Sequence, residues 1–550
     1  MSRLVVALVL VAASPALAQP APEPVDTSAV SFVKAEPNQV MDHALWLTDV
    51  HGARLTGSPQ LDAAQRWARD RFASWGLTAQ LEPWGDFGRG WQIDRFAMSA
   101  RVSGPDIASQ MIPLYAAPKA WSPSTGRIEA DLVVLDPNDE AALARLEGSL
   151  RGKAVLLMSE PSDVDLGLEP IASRRDDSEL LRLANSSLAQ PAAARPPDEG
   201  ALERRRAAQD RRNRLFSAGP AVILEASNTG GHGAIRTMQA QVPVPEGTLG
   251  GRARPYLPGV TTVPQMILLD EHANRLRRLI EAGQSVTLDL DFAATFTPPV
   301  VEDNVIADIQ GSDLAGEVVI LGAHLDSWHA GSGATDNAAG SAVVMEAARL
   351  LQRYYDETGT RPRRTIRFAL WTGEEQGLLG SIGYVNAHYA TSEGYGQPVT
   401  AITPAQATVS AYYNLDNGSG RIRGVNLQSN PDVGPIFQAW LNAYGDPDAR
   451  TLTLRNAGGT DHLAFDAAGI PGFQFIQDGL AYGPQTWHTS MDVYDHLAPD
   501  DLQQASQIMA VFAHHTAQRD DRLPRKALTL APADGAGRGL DPDDGHGHDH

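Results

Sequence analysis

The stretch WTGEEQGLLGS at 371–381 sets Glu374 and Glu375 side by side just past the apolar run RTIRFAL. Neighbours on a strand point to opposite faces, so a solvated edge accounts for one exposed Glu more readily than for two at a strand's carboxyl end. Two adjacent carboxylates can hold two different jobs. Other candidates follow apolar runs in the same way: His324 and Asp326 in EVVILGAHLD, Asp336 in GATDNAAG, Asp416 in VSAYYNLD and His488 in QTWHTSMDVYD. The chain has no cysteine, so any metal must be held by His, Asp and Glu. Two histidines and several carboxylates suit zinc in a catalytic rather than a structural site. His324 and Asp326, two apart, can face the same way, which lets Asp326 accept a ligand histidine's ring N–H; the two oxygens of Asp336 can bridge two metals. Singly, each residue has a plain structural explanation. His324 reads as a core histidine, Asp336 as a helix N-cap and Asp416 as the start of an Asp-Asn-Gly turn.

The elements that must position these residues begin near 300. NVIADIQG, EVVILGAHLD, TIRFALWT, VSAYYNLD and GFQFIQ read as strands, separated by helices through Gly340 to Leu351, near 378–389, near 432–443 and near 500–515. That alternation predicts an α/β fold, a doubly wound mixed sheet with helices on both faces, whose ligands bind beyond the carboxyl ends of the strands. Upstream, 19–37 is rich in Pro and Ala and reads as a linker. Residues 38–104 form the N-terminal part of the same domain, with an amphipathic helix from about Asp62 to Trp75. Between 105 and 295 the runs DLVVLD, GKAVLLM, GPAVILEAS and SVTLDLDF predict an inserted β-rich domain, with a charged loop and exposed helix at 189–216. Residues 296–520 complete the main domain, and 521–550, ending in DPDDGHGHDH, read as a flexible tail.

A chain of 550 residues predicts two or three domains. Its net charge of −21 argues against nucleic-acid or anionic-membrane partners. No stretch beyond the N-terminus is apolar enough to span a bilayer, so no membrane insertion is expected. Met1-Ser2-Arg3, the apolar run Leu4 to Ala13 and Ala16-Leu17-Ala18 follow the order of a secretory signal over 1–18, which predicts export to a periplasm or the medium.

The motifs RLTGSP, NVIADIQG, GAHLDS, GATDNAAG, RPRRTIRFALWTGEEQGLLGS, NLDNGSG, GGTDHLAF, AGIP and WHTSMD resemble, in order, the co-catalytic di-zinc exopeptidases of metallopeptidase family 28, which include secreted aminopeptidases and carboxypeptidase Q. The resemblance covers about 41–100 and 300–515, and the block between is similar to the protease-associated domain often inserted in these enzymes. It implies a zinc-peptidase fold and two Zn²⁺ per chain: His324 and Asp416 on one zinc, Glu375 and His488 on the other, and Asp336 bridging. Glu374 is implied as general base and Asp326 as the partner of His324, which gives the paired glutamates separate tasks. A zinc pair roughly 3.5–4 Å apart polarises the scissile carbonyl and lowers the pKa of bound water from about 16 towards 7. A base that shuttles the proton is worth about 10²–10⁴ in rate.

Asp461, His462 and Trp487 are implied as substrate contacts, Asn337 as a loop brace and His329 as a loop residue. The partner is a peptide, with an aminopeptidase favoured over a carboxypeptidase or dipeptidase, and a homodimer is plausible in the family. Glutaminyl cyclases share the fold and a Trp-His-Thr stretch, but lack DNAAG and the insert. A non-catalytic binding module should have lost ligands, and all are present.

Overall fold

The computed structural model describes residues 23–105, 107–187, 199–244 and 254–531. The expected signal segment 1–18 and the DPDDGHGHDH run lie outside the described residues, as does 189–198 of the charged stretch.

Side chains of the strands near 300–420 are apolar on both faces, and each face is covered. Leu321, Phe368 and Leu370 pack into a core with helices Ala339–Thr358 and Pro499–Gln518; Ile320, Ala369 and Trp371 pack into another with helices Leu379–His388 and His462–Ala467. This alternation with both faces buried is what a doubly wound sheet requires. The strand order is Thr451–Thr453, Ile422–Asn426, Gly472–Gln477, Val409–Asn414, Leu314–His324, Arg364–Trp371 and Ser285–Ile309. Val409–Asn414, Leu314–His324 and Arg364–Trp371 run parallel, whereas Ser285–Ile309 is antiparallel to Arg364–Trp371, so the sheet is mixed. Helix Ala339–Thr358 is apolar nearly all round its first three turns, and those turns are buried. Helix Pro59–Ser74 is started by Ser58, whose Oγ accepts the Leu61 N–H, with Pro59 in its first turn; it buries Leu61, Ala64, Ala68 and Phe72 on one face.

Two long strands carry the chain into the insert and back. Thr78–Gly104 and Ser285–Ile309 pair antiparallel from Thr78↔Asp308 to Ser103↔Ser285. At its other end Ser285–Ile309 pairs with Gly126–Leu135, so that, among the described residues, one 14-stranded sheet runs through both domains. The insert's own core takes in Phe87 and Trp91, upstream of the expected boundary at 105, because the change of domain falls inside continuous strands and not at a linker. Within the insert, Gly126–Leu135, Ala154–Leu157, Val222–Ala226 and Gln265–Leu268 are parallel neighbours, with helices Glu199–Ser217 and Asp270–Glu281 among their connections.

Two expectations are corrected. Within the expected linker, Thr27–Ala35 is a helix capped by Asp26, and Ala29, Val30 and Val33 fill the body's core. Three apolar residues on one helical face outweigh the Pro/Ala composition around them. The start of the expected flexible tail also packs: Leu523 is buried in that core, and Arg525 donates to the carbonyls of Gly469 and Gln406 at 3.0 and 3.1 Å.

Candidate active site

Three parallel strands end at one place. His324 is the last residue of its strand, Glu374 and Glu375 follow Arg364–Trp371, and Asp416 follows Val409–Asn414. Asp336 lies between two histidines: its Oδ1 is 3.1 Å from His324 Nε2 and its Oδ2 is 3.2 Å from His488 Nε2. Asp416 Oδ1 is 3.3 Å from His324 Nε2, and Glu375 Oε2 is 3.1 Å from His488 Nε2. Two histidine–carboxylate pairs therefore share one aspartate. Atoms of His324, Asp336 and Glu375 all lie within 4.8 Å of one another.

The site is short of positive charge. Burial pushes Glu375 up to about 7, with Asp336 adding to the effect. Burial also raises Glu374 well above the carboxylate range; His324 opposes this, and Asp416 and Asp461 reinforce it. Burial would lower His488, yet Glu375 and Asp336 hold it up to about 9, and Asp416 and Glu374 likewise hold buried His324 well above its ordinary value. Asp336 stays below its ordinary range despite burial, because both histidines bond to it. Among the described residues, Glu375 Oε1 is buried without a hydrogen-bond donor, and Asp336 Oδ2 and Asp416 Oδ1 have no donor apart from the imidazole nitrogens that face them. Orphaned carboxylate oxygens around two imidazoles are the donor set of a divalent cation site, and these residues fit zinc.

Backbone bonds fix this geometry. The Asp326 carboxylate accepts the amides of Glu374 and Glu375 at 3.2 and 3.3 Å and the Thr56 hydroxyl at 2.9 Å. The His324 Nδ1–H donates at 3.0 Å to the main-chain carbonyl of Asp326, whose Oδ1 is farther, at 3.6 Å. Asp326 thus holds the histidine through its backbone and the glutamate turn through its side chain. Asn337 braces the loop as expected, donating to Leu415 O at 2.9 Å and accepting from Gly340 N at 2.9 Å.

Sequence reasoning assigned no role to two residues inside the quoted motifs. Asp492 accepts from Thr335 N at 2.6 Å and Asp336 N at 3.2 Å. Arg54 is fully buried and donates to the carbonyls of Leu325, Ser332 and Gly333 at 2.6–2.8 Å, tying the loops before Asp326 and Asp336 together. Such residues act on main-chain atoms, which leave no spacing signature.

The insert grips the His488 loop. Thr237 N donates to His488 O at 3.1 Å and Ser490 N to Ile235 O at 3.0 Å. The Arg236 guanidinium donates to Trp487 O at 3.3 Å and Gly483 O at 3.1 Å, and lies 5.0 Å from the Trp487 ring centroid. Body and insert together enclose a cleft of about 520 Å³ onto which Asp336, Glu374, Glu375, Asp416 and His488 open. Trp487 lines it, stacked on His488 with centroids 4.0 Å apart. Asp461 and His462 are fully buried and do not line it, contrary to their expected substrate contact. His462 Nε2 instead bonds Ala457 O at 3.0 Å, and its apolar surroundings push it down to about 4. His329 bonds Pro118 O of the insert at 2.7 Å.

The sequence profile of peptidase family M28 matches residues 304–513. Mouse carboxypeptidase Q is 30% identical over 270 residues, 49% of this chain and 53% of its own length; the chain thus matches about half the length of such curated relatives. Among solved structures, a peptidase M28 precursor from Shewanella amazonensis SB2B is similar over 92% of this chain and 98% of its own, with TM-score 0.61 and 24% identity. A zinc aminopeptidase from Bacillus subtilis is similar over 88% and 95%, with TM-score 0.50 and 18% identity. Those two likenesses speak for the fold, and the parallel strand ends that gather the candidate residues fall inside the matched segment. Residues 304–513 of this chain are a peptidase family M28 domain.

Proposed function

We propose that this chain is an exported, zinc-dependent exopeptidase that hydrolyses terminal peptide bonds, with an aminopeptidase favoured. The observation that carries the reading is Asp336 between His324 and His488, with each of its oxygens facing a different imidazole Nε2, at 3.1 and 3.2 Å. His324 and Asp416 would hold one zinc, Glu375 and His488 a second, and Asp336 both. Zinc there supplies Lewis acidity towards the scissile carbonyl and makes hydroxide accessible at neutral pH. Glu374 opens onto the cleft beside these residues; the positive charge of bound zinc would offset the burial that raises its pKa, and its carboxylate would then take a water proton and return it to the leaving amine. The backbone amides of Glu374 and Glu375 both donate to the Asp326 carboxylate, which fixes the turn that carries the two side chains. Export rests on the order of charged, apolar and Ala-x-Ala segments at 1–18.

The test is metal analysis followed by hydrolysis of one short peptide with its N-terminus free or blocked. About two zincs per chain, release of the first residue only from the free peptide, and loss of about 10²–10⁴ in rate without loss of metal in Glu374→Gln are expected. Zinc without hydrolysis of either peptide would sink the reading. A carboxypeptidase is the second reading, favoured by the mouse relative's name and by Arg254, which lines the cleft. It predicts cleavage that ignores an N-terminal block and needs a free C-terminus.

A further inference from the structure

Buried uncharged polar groups line the cleft without partners. Gln376 is 4% exposed, and among the described residues neither its amide oxygen nor its nitrogen makes a hydrogen bond. Trp328 Nε1, Thr237 Oγ1 and Gln239 Oε1 are likewise buried and unpartnered among the described residues. All four residues line the cleft that holds Glu374 and Glu375. Gln376 follows those glutamates directly, and the Trp328 ring lies 6.1 Å from that of His488, so both stand beside the reacting centre on the body. Thr237 and Gln239 come from the insert, one residue and three residues past Arg236.

Native interiors leave few polar groups unsatisfied, so four lining one cleft call for a ligand that pairs them. Their chemistry narrows the ligand. The indole and the Gln376 nitrogen donate, the Gln376 and Gln239 oxygens accept, and the Thr237 hydroxyl does either. Mixed donors and acceptors without charge match the alternating N–H and C=O of a peptide main chain better than a charged end group, which would be held by an ion pair. We propose that Gln376, Trp328, Thr237 and Gln239 form a strip that binds the substrate's main chain, running from the reacting centre on the body to the insert. The cleft therefore recognises peptides extending beyond the scissile bond, and the insert contributes affinity for the distant part. This rests on the exopeptidase reading for the site, and adds to it the residues that grip the substrate.

The full zinc-loaded chain would be assayed with a tetrapeptide and with an amino-acid arylamide carrying the same first residue. Thr237→Val keeps the backbone bond to His488 and removes only the hydroxyl. It should lower the tetrapeptide-to-arylamide ratio of kcat/KM about fivefold through KM, and Gln376→Leu by a similar factor. Calorimetry on Glu374→Gln should show tetrapeptide Kd weakened by the same factor when Thr237→Val is added, with zinc content unchanged. Equal effects on both substrates, or none on either with Kd unmoved, would overturn the strip and leave its groups paired by solvent. If the unsubstituted chain cleaves neither substrate, the exopeptidase reading fails, and the calorimetric arm alone decides the strip.

Discussion

The backbone N–H of Thr237 donates to the carbonyl oxygen of His488 at 3.1 Å, a bond between a residue of the insert and a residue of the candidate metal centre. His488 has a φ of +59°, a left-handed conformation that a residue other than glycine keeps only when its surroundings hold it there. The insert is part of those surroundings.

Arg236→Ala should therefore loosen the His488 loop. It removes two hydrogen bonds to loop carbonyls and the guanidinium over Trp487. Zinc affinity, measured by competition with a chromophoric chelator, is expected to fall about tenfold, the equivalent of about 1.4 kcal/mol. Arg236→Lys should recover part of it. An unchanged affinity would mean that the loop supports itself.

Arg54 offers a stronger perturbation. Its guanidinium is fully buried against backbone carbonyls, and burial lowers its pKa to about 10. Arg54→Ala takes the guanidinium donor from the carbonyls of Leu325, Ser332 and Gly333, of which Gly333 keeps the Ala338 N–H, and removes a buried cation that faces Asp492 and Asp326. A loss of about 3–5 kcal/mol in urea unfolding is expected, together with loss of zinc. A loss below about 1 kcal/mol would contradict this role.

Gly340 is required by a close approach. A Cβ there would lie 2.2 Å from Leu415 O and 2.5 Å from Asn337 Oδ1, against the two residues whose Nδ2–H···O bond joins the Asp336 and Asp416 loops. Gly340→Ala should cost about 1–3 kcal/mol and weaken metal binding. Gly316→Ala, where a Cβ meets nothing within 4 Å, should stay within about 0.5 kcal/mol of the parent in thermal unfolding.

His515 tests the sign of a pH dependence away from the metal. Its Nδ1–H donates to Val511 O at 2.7 Å, its Nε2 accepts from Asp26 N at 2.9 Å, and burial pushes it down from 6.5 to about 4. The unfolded chain takes up the proton first. The contribution of His515 is thus present above pH 6.5 and lost as pH falls towards 4. The stability of the parent relative to His515→Gln should drop over that window by an amount on the order of 3 kcal/mol. A flat difference would show that the ring titrates freely.

The ligand-like residues were legible because each follows an apolar run whose residues reach both faces of a buried sheet, and a doubly wound fold puts the ends of such strands together. His324, Glu374, Glu375 and Asp416 all fall there. Asp461 and His462 carried the same residue types but sit at the start of a short helix, behind the wall they were expected to form. Arg54, Asp492 and Thr237 were not legible, since a bond to a main-chain atom hundreds of residues away imposes no local pattern. The helix Thr27–Ala35 was hidden for another reason: it holds too few turns for its apolar face to stand out from the prolines around it.

The paired strands Thr78–Gly104 and Ser285–Ile309 bring the chain back beside its own point of departure: Pro83 faces Asp303, and Gly85 faces Glu302. Everything beyond that point is therefore one excursion of the chain, whose removal leaves the threading of the remaining sheet unchanged. The loop of His488 leans on Thr237 and Arg236, and that contact ties the excursion to the rest of the molecule.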